Sequence, residues 1–158
     1  MLLIGEILAH AARTTPDATA ATLDDAAITF GALDTESNRV ANGLAGIGIG
    51  RGDRVLWWGD TSLEALPVFG ALAKLGAVFA PLNARASVDE ARPVAEYARA
   101  RLLLSTAGHR APAAELAAAT GIPFVADIPI GTSVRTTRPH PISRFACSRT
   151  AVNRGGSP

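Results

Sequence analysis

Apolar residues recur along this chain with two spacings, and from about residue 54 the two alternate. Val55 to Trp58 and Leu102 to Leu104 are apolar runs of strand length. Between them, Leu63, Leu66, Leu72 and Leu75 fall at roughly helical spacing, and Ala91, Val94, Ala95 and Ala98 form a second helical stripe. Ala113 to Ala119 predicts a further helix, with Gly121 as its stop, and Ile122 to Ala126 a last strand. Strand and helix in strict alternation predict an α/β fold: a partial parallel sheet with right-handed crossovers and helices on both faces.

Local signals refine this pattern. Asp60, Thr61 or Ser62 is a candidate cap for the helix after Trp58, and Glu64 suits its positive end. Gly76 stands where a helix needs a left-handed C-terminal residue. Ala77 to Ala80 predicts a buried parallel strand stopped by Pro81. Ser87 and Glu90 make a capping box for the next helix, where Pro93 predicts a kink or a delayed start. Upstream, Ile4, Ile7, Leu8 and Ala11 form a helical stripe ended by Thr15-Pro16. Two strands, Ala18 to Leu23 and Ala26 to Phe30, flank Asp24-Asp25 as a hairpin. Thr29 caps a helix that buries Leu33, Val40, Ala41, Leu44 and Ile47 and turns Asp34, Glu36, Asn38 and Arg39 largely elsewhere. Trp57 and Trp58 must face opposite sides of their strand.

Composition narrows the class. The chain has 158 residues, is 48% hydrophobic and carries a net charge of +1. That excludes a wholly disordered chain and a strongly basic nucleic-acid binder, so no nucleic-acid partner is expected. A single cysteine, Cys147, excludes a disulfide framework and a multi-thiolate metal site, and favours a cytoplasmic setting. MLLIGEILAH has no basic n-region and carries Glu6, unlike a signal peptide. Ala65 to Leu82 approaches membrane-spanning length, but Pro67, Lys74 and Gly76 interrupt it, so no transmembrane segment is expected.

Candidate chemistry is sparse. Gly46, Gly48, Gly50 and Gly52 follow a helix and precede a strand, the reverse of a dinucleotide fingerprint, and read as a helix stop and tight turn. His10, His109 and His140 have no ligand spacing, and no nucleophile elbow, Walker loop or CxxC pair occurs. No catalytic residue and no metal ligand is assigned.

Three pieces in order carry a resemblance: ITFGALD, the turn-and-strand GRGDRV, and KLGAVFAPLNAR. From about Ile4 to Ala126 the chain resembles the start of the AMP-forming acyl-CoA synthetases, the adenylate-forming ligases, and among them looks most like the fatty-acid-CoA ligases. The resemblance implies the N-terminal subdomain portion of that fold. It also implies the family's chemistry: acyl-adenylate formation from a carboxylic acid with ATP and Mg²⁺, then transfer of the acyl group to coenzyme A. A fatty acid or other carboxylate and coenzyme A are the implied partners. Arg85, after the Pro81-Leu82-Asn83 turn, matches a basic position that in some relatives lies near coenzyme A phosphates; a solvated loop arginine is the alternative reading.

The sequence also departs from the family. The Ser/Thr/Gly-rich phosphate loop ending in Pro-Lys, the adenine-pocket Thr-Glu pair, the ribose-binding Asp and the domain with the catalytic Lys are not found in it. Lys74, the only lysine, reads as a solvated helix-end cation rather than a catalytic group. The expectation is therefore a truncated ligase inactive alone, or alternatively a non-catalytic fragment that binds an acyl group, coenzyme A or a protein. An open sheet edge predicts self-association.

The chain divides at residue 127. Residues 1–127 carry the ligase-like portion. From Ile128 to Pro158 there are five arginines, no carboxylate and no hydrophobic periodicity. This segment reads as a disordered native tail, as a basic arm for nucleic acid or anionic lipid, or as out-of-frame translation of a GC-rich gene.

Overall fold

The structure, a computed structural model, describes residues 3–126 and the backbone of Arg135–Thr136. The rest of the segment from Ile128 onward, with the expectations placed on it, lies outside the described residues.

The framework is a four-stranded parallel sheet built from β3 (Arg54–Trp58), β4 (Val78–Pro81), β5 (Leu102–Ser105) and β6 (Phe124–Ala126), in the order β4-β3-β5-β6. Pleating divides the apolar runs between two faces. Val55 and Trp57 join Leu102 and Leu104 on one side, beneath α2 (Phe30–Gly46) and α3 (Ala65–Leu75). Leu56, Trp58 and Leu103 face the other side, beneath α4 (Val88–Ala98) and α5 (Arg110–Thr120). Near-continuous apolar strands are what a sheet covered on both faces requires.

A hairpin of β1 (Thr19–Leu23) and β2 (Ala26–Thr29) packs through Ile28 with Leu33 and Leu63, and Leu8 of α1 (Ile4–Thr14) joins this smaller core. Asp24 takes a positive φ of 50° at the turn. The two-residue strand β7 (Arg135–Thr136) pairs antiparallel with β2, although it falls in the segment expected to lack structure.

Several local expectations hold. Thr29 caps α2 by accepting from the Ala32 N–H, and Ser87 and Glu90 close the capping box of α4. Gly76 ends α3 at a φ of 69°, a conformation that favours glycine. Others are corrected. α3 begins at Ala65 with Glu64 at the cap position, and neither Asp60, Thr61 nor Ser62 caps it. Its third residue is Pro67, which has no N–H for a capping side chain to bind, and Leu63 is drawn into the hairpin core instead. Pro93 does not delay α4: it is exposed and falls inside a helix that starts at Val88. β4 is an outer strand rather than a buried one, which is why Pro81 is tolerated in its ladder opposite Trp57.

Burial also departs from simple periodicity. Ile4 and Ile7 are exposed, and Gly5 is the buried residue of α1, where a Cβ would lie 3.3 Å from Lys74 Cα. Val94 is exposed. Ile47 is exposed and Ile49 takes its place in the core, because Gly48 at a φ of 85° turns the chain after the helix. Glu36 is buried, with Arg39 at 2.8 Å. Lys74 is not a solvated cation. Its Nζ donates to Asp34 Oδ1 at 2.6 Å and Asn38 Oδ1 at 2.7 Å, tying α3 to α2 with a side chain 16% exposed.

Candidate functional site at the strand ends

Successive parallel strands move outward from β3 to β4, and then resume on the other side of β3 with β5 and β6. The order reverses between β3 and β5. In open α/β sheets, ligands bind outside the carboxyl ends of the strands at such a reversal. Here those ends are Trp58-Gly59-Asp60, Leu82-Asn83-Ala84-Arg85 and Thr106 to His109.

Hydrogen bonds join these three segments. The Leu82 N–H donates to the Trp57 carbonyl at 2.8 Å, extending β4 by one pair. Trp58 Nε1–H reaches the Asn83 carbonyl at 3.2 Å. The Thr106 N–H donates to the Trp58 carbonyl at 3.1 Å. A short 3₁₀ turn, Ala107–His109, then carries His109 back over the β4 loop. His109 Nε2 lies 2.9 Å from the Ala84 carbonyl and Nδ1 lies 3.2 Å from Thr106 Oγ1. A carbonyl only accepts, so Nε2 carries a proton; in the neutral ring Nδ1 then accepts from the threonine hydroxyl. The imidazole stands 6.1 Å from the Trp58 ring, and the exposed Asp60 carboxylate is 3.9 Å from Nδ1.

Arg85 is exposed on this loop. Its backbone N–H donates to Asn83 Oδ1 at 3.0 Å, and its guanidinium has no partner among the described residues. It borders a groove of about 320 Å³ with Pro81, Leu82, Asn83, Glu90 and Val94. Glu90 places a carboxylate in the same groove. The Ser87 backbone N–H, at 2.8 Å, and then the Ser87 hydroxyl hold that carboxyl below its usual range. Among the described residues, the groove therefore presents one free cation and one fixed anion.

The sequence singles out Arg85 but not the hydrogen bonds from Trp58 and His109 to its loop. His109 looked isolated because Ala84, 25 residues away in the chain, meets it only through the sheet. The available signal was its position: three residues past the threonine that follows a buried strand. Among the described residues, no group of three His, Cys, Asp or Glu side chains converges on a point that could hold a metal ion. No helix of the described residues is long and apolar enough to cross a membrane.

This fold is that of the N-terminal domain of adenylate-forming ligases. The chain belongs to the AMP-binding enzyme family, whose model matches residues 8–142. It is 35% identical over 133 residues to a feruloyl-CoA synthase of Amycolatopsis sp., an alignment covering 76% of this chain and 27% of that protein. It is 37% identical over 76 residues to a 3-hydroxybenzoate–CoA ligase of Aromatoleum sp. (strain CIB), covering 48% of this chain and 14% of the relative. The structure of a Mycobacterium tuberculosis fatty acyl CoA synthetase superposes with a TM-score of 0.67 at 25% identity, covering 79% of this chain and 26% of that one. The chain thus matches about a quarter of the length of the feruloyl-CoA synthase and of the fatty acyl CoA synthetase, and less of the 3-hydroxybenzoate–CoA ligase.

Proposed function

We propose that this chain supplies a coenzyme A-facing flank of an ATP-dependent acid–thiol ligase, one that joins a carboxylic acid to coenzyme A through an acyl-adenylate. Arg85 carries the reading. A guanidinium without a partner among the described residues, beside a groove at the strand ends, is free to bind a phosphate through paired, charge-assisted hydrogen bonds. Family membership is the reason for assigning that phosphate to coenzyme A. The Glu90 carboxylate repels further anionic groups and so limits how a polyanion lies in the groove.

Adenylation needs cationic groups aimed at the charge that develops on the phosphoryl oxygens. Among the described residues, Lys74 is committed to Asp34 and Asn38. No acidic cluster there fits Mg²⁺. These residues suit binding rather than activation, and we propose that the 158-residue chain alone is inactive. The relatives are named for feruloyl, hydroxybenzoate and fatty acyl groups. A carboxylic acid is therefore the level at which the substrate is proposed, with a fatty acid one member of that range.

Calorimetric titration with coenzyme A tests the proposal. Saturable binding is expected, and Arg85→Ala should weaken it about tenfold, the loss of one charge-assisted contact. Equal affinity in wild type and variant, or no saturable binding, defeats the reading. ATP–pyrophosphate exchange by the purified chain would overturn the inactivity proposal.

The sheet also leaves β4 and β6 as outer strands among the described residues. Unpaired backbone donors and acceptors there are a template for another strand, so we propose that the isolated chain self-associates. Sedimentation velocity should show a coefficient that rises with concentration; a concentration-independent monomer refutes this.

A further inference from the structure

We propose that His109 is a positioning residue, a latch that holds the Asn83–Arg85 loop against the end of β5 and so sets where the Arg85 guanidinium stands. The consequence for ligand binding rests on the reading of Arg85 given above; the latch itself does not. Two kinds of contact hold this loop. The bond from the Arg85 N–H to Asn83 Oδ1 and that from the Ala86 N–H to the Asn83 carbonyl are internal and shape the turn without anchoring it. Among the described residues, hydrogen-bond anchoring to the body beyond Leu82 comes from two rings: Trp58 donates to the Asn83 carbonyl and His109 to the Ala84 carbonyl. Ala84 is the residue next to Arg85, so the His109 bond is the last tie before the cation.

The imidazole is itself held. Its side chain is 12% exposed and is met on both ring nitrogens: the Ala84 carbonyl, which only accepts, requires the proton on Nε2, and Thr106 Oγ1 lies 3.2 Å from Nδ1. Thr106 is in turn pressed against the end of β3, where a Cβ on Gly59 would lie 3.0 Å from Thr106 Oγ1. The chain Gly59, Thr106, His109, Ala84 therefore passes the position of the β3 and β5 ends to the β4 loop. A histidine kept only for packing would need neither the tautomer nor the carbonyl contact.

The experiment uses the 158-residue chain with His109→Ala, His109→Gln, His109→Asn and Thr106→Val. Glutamine places an amide N–H near the position of Nε2, whereas asparagine is too short to reach the Ala84 carbonyl. Hydrogen-exchange mass spectrometry on the peptide spanning Asn83 to Ala86 should show exchange about tenfold faster in the alanine and asparagine variants. Protection of β3 and β5 should be unchanged, and glutamine should restore the loop. Thr106→Val, which keeps the β-branched shape but loses the hydroxyl, should loosen the same peptide to a lesser degree. Coenzyme A affinity should fall about fivefold in His109→Ala and recover in His109→Gln.

Unchanged loop exchange in His109→Ala, alanine and glutamine behaving alike, or equal loosening of β3 and β5 each overturn the latch. If His109→Ala does not fold, the contrast between glutamine and asparagine, together with Thr106→Val, decides the matter. Wild-type failure to bind coenzyme A removes the Arg85 reading alone, because the exchange result is read without ligand.

Discussion

Trp58→Ala is expected to cost about 3–5 kcal/mol of folding stability, measured by chemical denaturation. Trp58 has no exposed surface and is the largest fully buried side chain, packed with Leu56, Leu103 and the small residues Ala91, Ala95 and Ala113 beneath α4 and α5. Alanine side chains are too short to fill so large a gap. The truncation also removes the donor to the Asn83 carbonyl. Trp58→Phe separates the two effects: it retains most of the packing and loses the donor, and about 1–2 kcal/mol is expected. A loss below about 1 kcal/mol in Trp58→Ala would show that this face of the sheet is not the packed core described.

Gly70→Ala is expected to destabilise by about 1–3 kcal/mol, although helix propensity alone favours alanine by about 0.5–1 kcal/mol. The sign is therefore diagnostic. A Cβ on Gly70 would overlap Ser37 Oγ and lie 3.1 Å from Ser37 Cβ and 3.3 Å from Leu8 Cδ1, so one methyl group strains the meeting point of α1, α2 and α3. Ser37 is fully buried, so its side chain has little room in which to give way. Ser37→Gly removes the two Ser37 atoms and leaves only Leu8 Cδ1 near the new methyl. The double variant should recover most of the loss, a coupling of about 1 kcal/mol or more in a double-mutant cycle. A Gly70→Ala protein as stable as wild type would mean that α2 and α3 do not approach this closely.

Much of the architecture was legible because it rests on local rules. The glycine at 76, the Ser87–Glu90 box and the strand-length apolar runs each act through the residue's own backbone or its neighbours within one turn. What was hidden depends on a partner far along the chain. Periodicity gives α1 an apolar stripe through Ile4 and Ile7, but the buried side is set by Gly5, because α3 passes close enough there to exclude a side chain. Periodicity places Glu36 off the apolar face of its helix, and a place at a helix end suggests a solvated Lys74. Arg39 sits beside the first and Asp34 with Asn38 beside the second, and only such pairing lets a charge be buried. Arg85 could be singled out through its motif. His109 could not, since the Ala84 carbonyl that gives it meaning is 25 residues away.

The paired tryptophans on β3 have an optical consequence. Trp57 looks toward α2 and α3, and Trp58 toward α4 and α5. They are the chain's only two tryptophans, so each of the single variants Trp57→Phe and Trp58→Phe leaves one intrinsic fluorophore that reports on one helical layer. Emission from the two proteins during denaturant melting will tell whether both layers dissolve in one cooperative event or in sequence.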